Sequence, residues 1–132
     1  ASPAIGEHVK DLLKKAGLKL YEKTSVVSRL ERPVATRGLS PEELDALWRK
    51  DPGYGNIVCR CEHVSEAEIV EAVRKGHTTL DGIKFYTRSG MGRCQGGFCS
   101  HRIMKIISRE TGIPMEEITK RGGGSKILSG KL

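Results

Sequence analysis

The chain has 132 residues, 37% hydrophobic, 30% charged and 5% aromatic, with a formal net charge of +7. That length admits one ordinary domain, or one small domain with an attached segment, and excludes a dinucleotide-binding enzyme with its own substrate domain. No apolar run nears the roughly 18 residues of a membrane span. The dispersed charge and scarce aromatics, without a zinc-finger or RNA-binding signature, argue against nucleic acid as a partner.

In chain order, the start at Ala1 rather than Met predicts a piece cut from a longer protein, and the N-terminus has no signal-peptide pattern. Residues 1–20 read as a helix and its exit. Ser2 suits an N-cap, Pro3 the first helical position and Gly17 the C′ position, with Ile5, Val9, Leu12, Leu13 and Ala16 on one face. Residues 21–53 read as a linker, mixed and basic, interrupted at Arg32-Pro33. Within it, Ser40-Pro41-Glu42-Glu43 is a capping box that opens a short helix at 41–50, stopped by Asp51-Pro52-Gly53.

The last unit spans 54–132. Ser65-Glu66-Ala67-Glu68 is a second capping box, opening a helix with Ile69, Val70 and Val73 that ends at Gly76. Further helices are predicted at about 79–88, from Cys99 to Gly112, and at 114–121. Gly122-Gly123-Gly124-Ser125 looks loose and predicts a flexible tail; it is not a P-loop. No strand pattern stands out, so the predicted class is all-α.

The four cysteines are Cys59, Cys61, Cys94 and Cys99. Without a secretory signal a disulfide framework is the weakest reading. Cys-x-Cys, then Cys-x4-Cys, supplies four thiolates, enough for two on each iron of a 2Fe–2S cluster. A four-cysteine zinc site remains the alternative, although zinc usually takes Cys-x2–4-Cys knuckles. Gly90, Gly92, Gly96 and Gly97 permit tight wrapping around sulfur. Arg60, Arg88, Arg93 and Arg102, with helix starts near Ser65 and Cys99, are placed to offset an anionic centre. His63 and His101 lie near the cysteines but are not needed as ligands. His8 and His77 read as surface residues, and Trp48 and Tyr54 as packing anchors. No catalytic residues are predicted.

The segments Ile57-Val58-Cys59-Arg60-Cys61-Glu62 and Gly92-Arg93-Cys94-Gln95-Gly96-Gly97-Phe98-Cys99 resemble the bacterioferritin-associated-ferredoxin-like (BFD-like) 2Fe–2S domain. More narrowly, they resemble its version at the C-terminus of FAD-dependent glycerol-3-phosphate dehydrogenases and related flavoenzymes. The likeness covers about residues 54–128. The founding ferredoxin has two residues between its last two cysteines where this chain has four, as in the flavoenzyme branch. The resemblance implies a small helical fold with Cys59, Cys61, Cys94 and Cys99 as cluster ligands. It implies electron transfer as the function; the alternative, which the residues themselves leave open, is a structural zinc-binding or subunit-docking module without a redox role, with zinc a possible substitute metal. FAD would belong to the parent protein only, and residues 1–20 would be the last helix of its FAD domain. The implied partners are that domain and an electron acceptor, whether a quinone, another protein of the complex or a soluble carrier. The implied location is the cytoplasm, or the inner-membrane periphery through the parent complex.

Overall fold

The computed structural model describes residues 1–26 and 33–130. The chain divides into two compact units, Ala1–Arg32 and Pro33–Leu132. The division falls inside the predicted linker, and residues 33–53 join the cysteine-bearing unit. Part of the Arg32-Pro33 interruption lies outside the described residues.

The first unit is helix α1, Ser2–Lys15. Ser2, the predicted N-cap, sits within the helix. Ala1 holds the cap position, and no side chain caps the first turn. At the other end Gly17, φ +89°, takes the left-handed C′ geometry predicted for it. Ile5, Val9, Leu12 and Leu13 share a face, and none of them is buried.

The second unit begins with α2, Pro41–Lys50, capped as its sequence dictates. The Glu43 N–H donates to Ser40 Oγ, and the Ser40 N–H donates to Glu43 Oε2. A 3-10 turn, Pro52–Gly55, brings the chain back. Trp48 packs on Gly55, where an added Cβ would stand 2.6 Å from the indole Cδ1. Two short strands follow, β1 (Ile57–Cys59) and β2 (Val64–Ser65), paired antiparallel with an irregular register between Ile57 and Cys59. The protein is therefore mostly helical rather than all-α. Strands of three and two residues are too short to show the alternation that marks a strand in sequence.

Helix α3, Glu66–Arg74, starts from the predicted capping box and buries Ala67, Ile69, Ala72 and Val73. Helix α4, Leu80–Thr87, is capped by Thr79, whose Oγ1 accepts from the Gly82 N–H at 3.0 Å. Helix α5, Cys99–Thr111, buries Ile103, Met104, Ile106 and Ile107 and stops at Gly112, φ +74°. These faces meet in one core around Ile69, Ile83 and Ile107, none of which touches solvent. Each such side chain contributes about 1.5–3 kcal/mol by leaving water.

The C-terminal segment departs from expectation. The helix predicted at 114–121 is only a 3-10 turn, Met115–Glu117, after which the chain extends. Ile118 enters the core, and Thr119 bridges to Lys126. The glycine run, expected to be loose, is a closed turn: Lys120 N–H donates to the Ser125 carbonyl, and Ser125 Oγ donates to the Gly122 carbonyl. The carbonyls of Thr119 and Lys120 accept from the N–H groups of Leu80 and Asp81, satisfying the first turn of α4 from outside the helix.

Candidate metal centre

β1 ends at Cys59, and the turn after it carries Cys61. α5 begins at Cys99, and the glycine-rich loop before it carries Cys94. The two cysteine pairs, far apart in sequence, thus arrive at one cavity of about 400 Å³. Arg102 joins the halves. Its Nη1 donates to the Ile57 carbonyl at 2.8 Å and its Nη2 to Asn56 Oδ1 at 2.7 Å.

Cys59 and Cys99 form the buried floor, Cys94 is half-buried, and Cys61 is exposed at the rim. The Sγ atoms of Cys61 and Cys94 lie 3.7 Å apart. Val58 and Phe98 supply the apolar lining, with Phe98 largely open to solvent. Arg60, Arg93 and Arg102 complete the wall, and among the described residues no carboxylate lines it.

Backbone geometry serves the same end. The N–H groups of Phe98, Gly96 and Gly97, together with the Cys61 thiol, stabilise the Cys94 thiolate and hold its pKa below the usual thiol value. Cys99 behaves oppositely: burial, reinforced by Cys59 and Cys94, pushes its pKa up to about 12. Gly92 is a steric requirement, since a Cβ there would fall 2.1 Å from the Cys61 Cβ. At Gly96, φ +88°, a Cβ would fall 2.6 Å from Ser100 Oγ.

All four predicted ligand residues, together with Arg60, Arg93 and Arg102, line this cavity. Arg88 does not. It closes α4 in the left-handed conformation, φ 69°, and its Nε pairs with Glu62 Oε2 at 3.1 Å. The start of α3, expected beside the centre, is instead occupied by its own capping box and by the Asn56 carbonyl. His63 and His101 do not line the cavity. Val58, Glu62 and Phe98 fall within the segments that carry the resemblance, but their sequence does not mark the part each takes here.

The donor set fits a polythiolate, anionic group. A diferric 2Fe–2S cluster with four thiolates carries a formal charge of about −2, and here cationic side chains and backbone donors surround the sulfurs. Among the described residues, no three Cys, His, Asp or Glu side chains converge as one metal ion requires. A binuclear cluster divides four thiolates between two irons, two on each. The single-zinc alternative gains no support from this arrangement.

The fold and site thus define a small helical domain with a four-thiol pocket. Residues 57–109 match the family described as BFD-like [2Fe-2S] binding domain, and the chain carries a domain of that family. Over 132 residues, 98% of its length, the chain is 42% identical to glycerol 3-phosphate dehydrogenase of Caloramator mitchellensis, of which it spans 28%. It is 41% identical over 54 residues to a component of the anaerobic glycerol-3-phosphate dehydrogenase of Haloferax volcanii, covering 41% of this chain and 9% of that one. A component of the opine oxidase of Agrobacterium tumefaciens is 37% identical over 73 residues, 51% of this chain and 14% of the relative. No solved structure matches the chain significantly. Among the described residues, no helix is long and apolar enough to cross a membrane.

Proposed function

We propose that this chain is the cluster-binding, electron-transfer segment of a longer FAD-dependent oxidoreductase resembling glycerol-3-phosphate dehydrogenase. The observation that carries this reading is the convergence of Cys59, Cys61, Cys94 and Cys99 on one cavity walled by arginines and backbone N–H groups. These four thiolates would hold the 2Fe–2S cluster. When bound, that cluster supplies one-electron exchange. The chain's own residues neutralise the site's negative charge, bury Cys59 and Cys99 away from water, and leave Cys61 and Phe98 at the surface, where a partner can approach. No residue of this chain is assigned a role in substrate chemistry.

The parent's FAD, its substrate and the acceptor lie outside this chain. We assign glycerol 3-phosphate or a similar small hydroxylated compound as substrate, and a quinone, another protein of the complex or a soluble carrier as acceptor. The 42% identity to a dehydrogenase of which this chain spans only 28% supports that assignment. The open apolar face of α1 supports a role for residues 1–20 as the last helix of the parent's FAD domain, packed within that domain. We assign the chain to the cytoplasm, or to the inner-membrane periphery through the parent complex, on its likeness to a glycerol 3-phosphate dehydrogenase.

The test is the visible spectrum of anaerobically purified protein, with iron and acid-labile sulfide counted on the same sample. Bands between about 400 and 600 nm that bleach with dithionite, with about two irons and two sulfides per chain, are expected. A colourless chain that stays so after anaerobic reconstitution with iron and sulfide overturns the reading.

A further inference from the structure

We propose that Thr36, upstream of the cluster-binding fold, is a positioning residue that holds the Cys61 loop in its ligand geometry. This inference rests on the reading of Cys61 as a cluster ligand. Thr36 is the one buried residue between positions 33 and 57, with no solvent exposure, while its neighbours Ala35 and Arg37 are exposed. A polar side chain is buried in this way only when its hydrogen bonds are made. The Thr36 hydroxyl shares its proton between the His63 carbonyl at 2.6 Å and Glu68 Oε2 at 2.8 Å.

Both acceptors matter to the site. His63 stands two residues after Cys61 in the left-handed conformation, φ 55°, which is rare for a residue with a Cβ and persists only where its surroundings enforce it. Glu68 Oε2 also accepts from the Ser65 N–H and hydroxyl, so it anchors the far end of the same loop at the start of α3. Arg37 adds a tie one residue nearer the ligand. Its Nη1 lies 2.6 Å from Glu62 Oε2, the oxygen that Arg88 also contacts. Residues 36–37 thus grip the 61–68 loop at Glu62, His63 and Glu68, although they lie outside the family-matched stretch, residues 57–109. Cys61 is the exposed thiol of the four, so its geometry depends most on what holds its loop.

The experiment compares the reconstituted full chain with its Thr36→Val and Thr36→Ser variants. The readouts are the rate of cluster loss to an iron chelator under anaerobic conditions and the spin-resonance spectrum of the reduced protein. Valine keeps the shape but leaves the two acceptors without this donor. The expected result is about tenfold faster loss and an altered spectrum for Thr36→Val, with Thr36→Ser close to wild type. Ile83→Val weakens the core without touching the loop and should keep the wild-type spectrum and loss rate. The proposal is overturned if Thr36→Val matches wild type, if Thr36→Ser fails to rescue, or if Ile83→Val loses cluster as fast as Thr36→Val. Failure of the wild-type chain to take up iron and sulfide overturns the cluster reading itself, and this proposal with it.

Discussion

The guanidinium of Arg102 donates to the carbonyl of Ile57 at 2.8 Å, joining residues 45 positions apart in sequence. Ile57 begins the strand that delivers Cys59, and Arg102 lies one turn along the helix that starts at Cys99. One side chain therefore ties the strand that delivers Cys59 to the helix that starts at Cys99, and the same residue lines the cavity. Arg102→Met should lower stability by about 1–3 kcal/mol, because it leaves the Ile57 carbonyl and Asn56 Oδ1 without this donor. Urea unfolding of the metal-free protein measures that loss. Arg102→Lys keeps the charge without the planar fork, so it should recover less stability than a charge count alone would give.

Gly92→Ala should block cluster uptake. The added methyl carbon would overlap the Cys61 side chain at 2.1 Å, so the rim ligand must move. Iron content after anaerobic reconstitution should fall to less than about half the wild-type value. Gly124→Ala meets nothing within 4 Å and should reconstitute normally.

The thiols of the metal-free protein should titrate in opposite directions. Backbone donors lower the Cys94 pKa, so Cys94 should alkylate first and at lower pH than an ordinary thiol. Cys99, held neutral up to about 12, should resist alkylation. In the unfolded chain Cys99 ionises near an ordinary thiol value of about 8.5. Between that pH and about 12, the folded state holds a proton the unfolded state has lost. The Cys99 contribution to stability is therefore complete below about 8.5 and declines as pH rises. Cys99→Ser should flatten that alkaline decline in urea midpoints, whereas an unchanged slope would remove Cys99 as its source.

Ile118→Ala should cost about 2–4 kcal/mol, because Ile118 is buried in the core and its removal leaves a cavity. The carbonyls of Thr119 and Lys120, which satisfy the first turn of α4, should lose their register with it. Hydrogen exchange at Leu80 and Asp81 should then quicken more than at Ile107. If the segment after Pro114 were an undocked tail, neither the melting temperature nor this exchange would change.

Signals in the chain are legible where their cause is local. The capping boxes at Ser40 and Ser65, the helix stops at Gly17 and Gly112, and the apolar spacing of α3 and α5 depend on neighbours within about one turn. The departures cluster where a distant partner decides. The helix expected at 114–121 gives way to extended chain because the first turn of α4 takes the carbonyls of Thr119 and Lys120 and the core takes Ile118. Arg88 reads as a counter-charge to the cysteines because nothing nearby in sequence foretells that Glu62 claims it.

The order of residues alone was enough to indicate a small helical domain with four cysteines in two pairs, a donor set expected of a soft-metal site. Ligand chemistry and spacing are properties of the string of residues. Which arginines face the thiols, and which thiols are buried, emerged only in the folded chain. So did the hydrogen bonds of Thr36 to His63 and Glu68 and the burial of Ile118 in the core, which come from opposite ends of the cysteine-bearing unit. Those assignments depend on hydrogen bonds and packing between segments far apart in sequence, and such contacts exist only once the chain has folded.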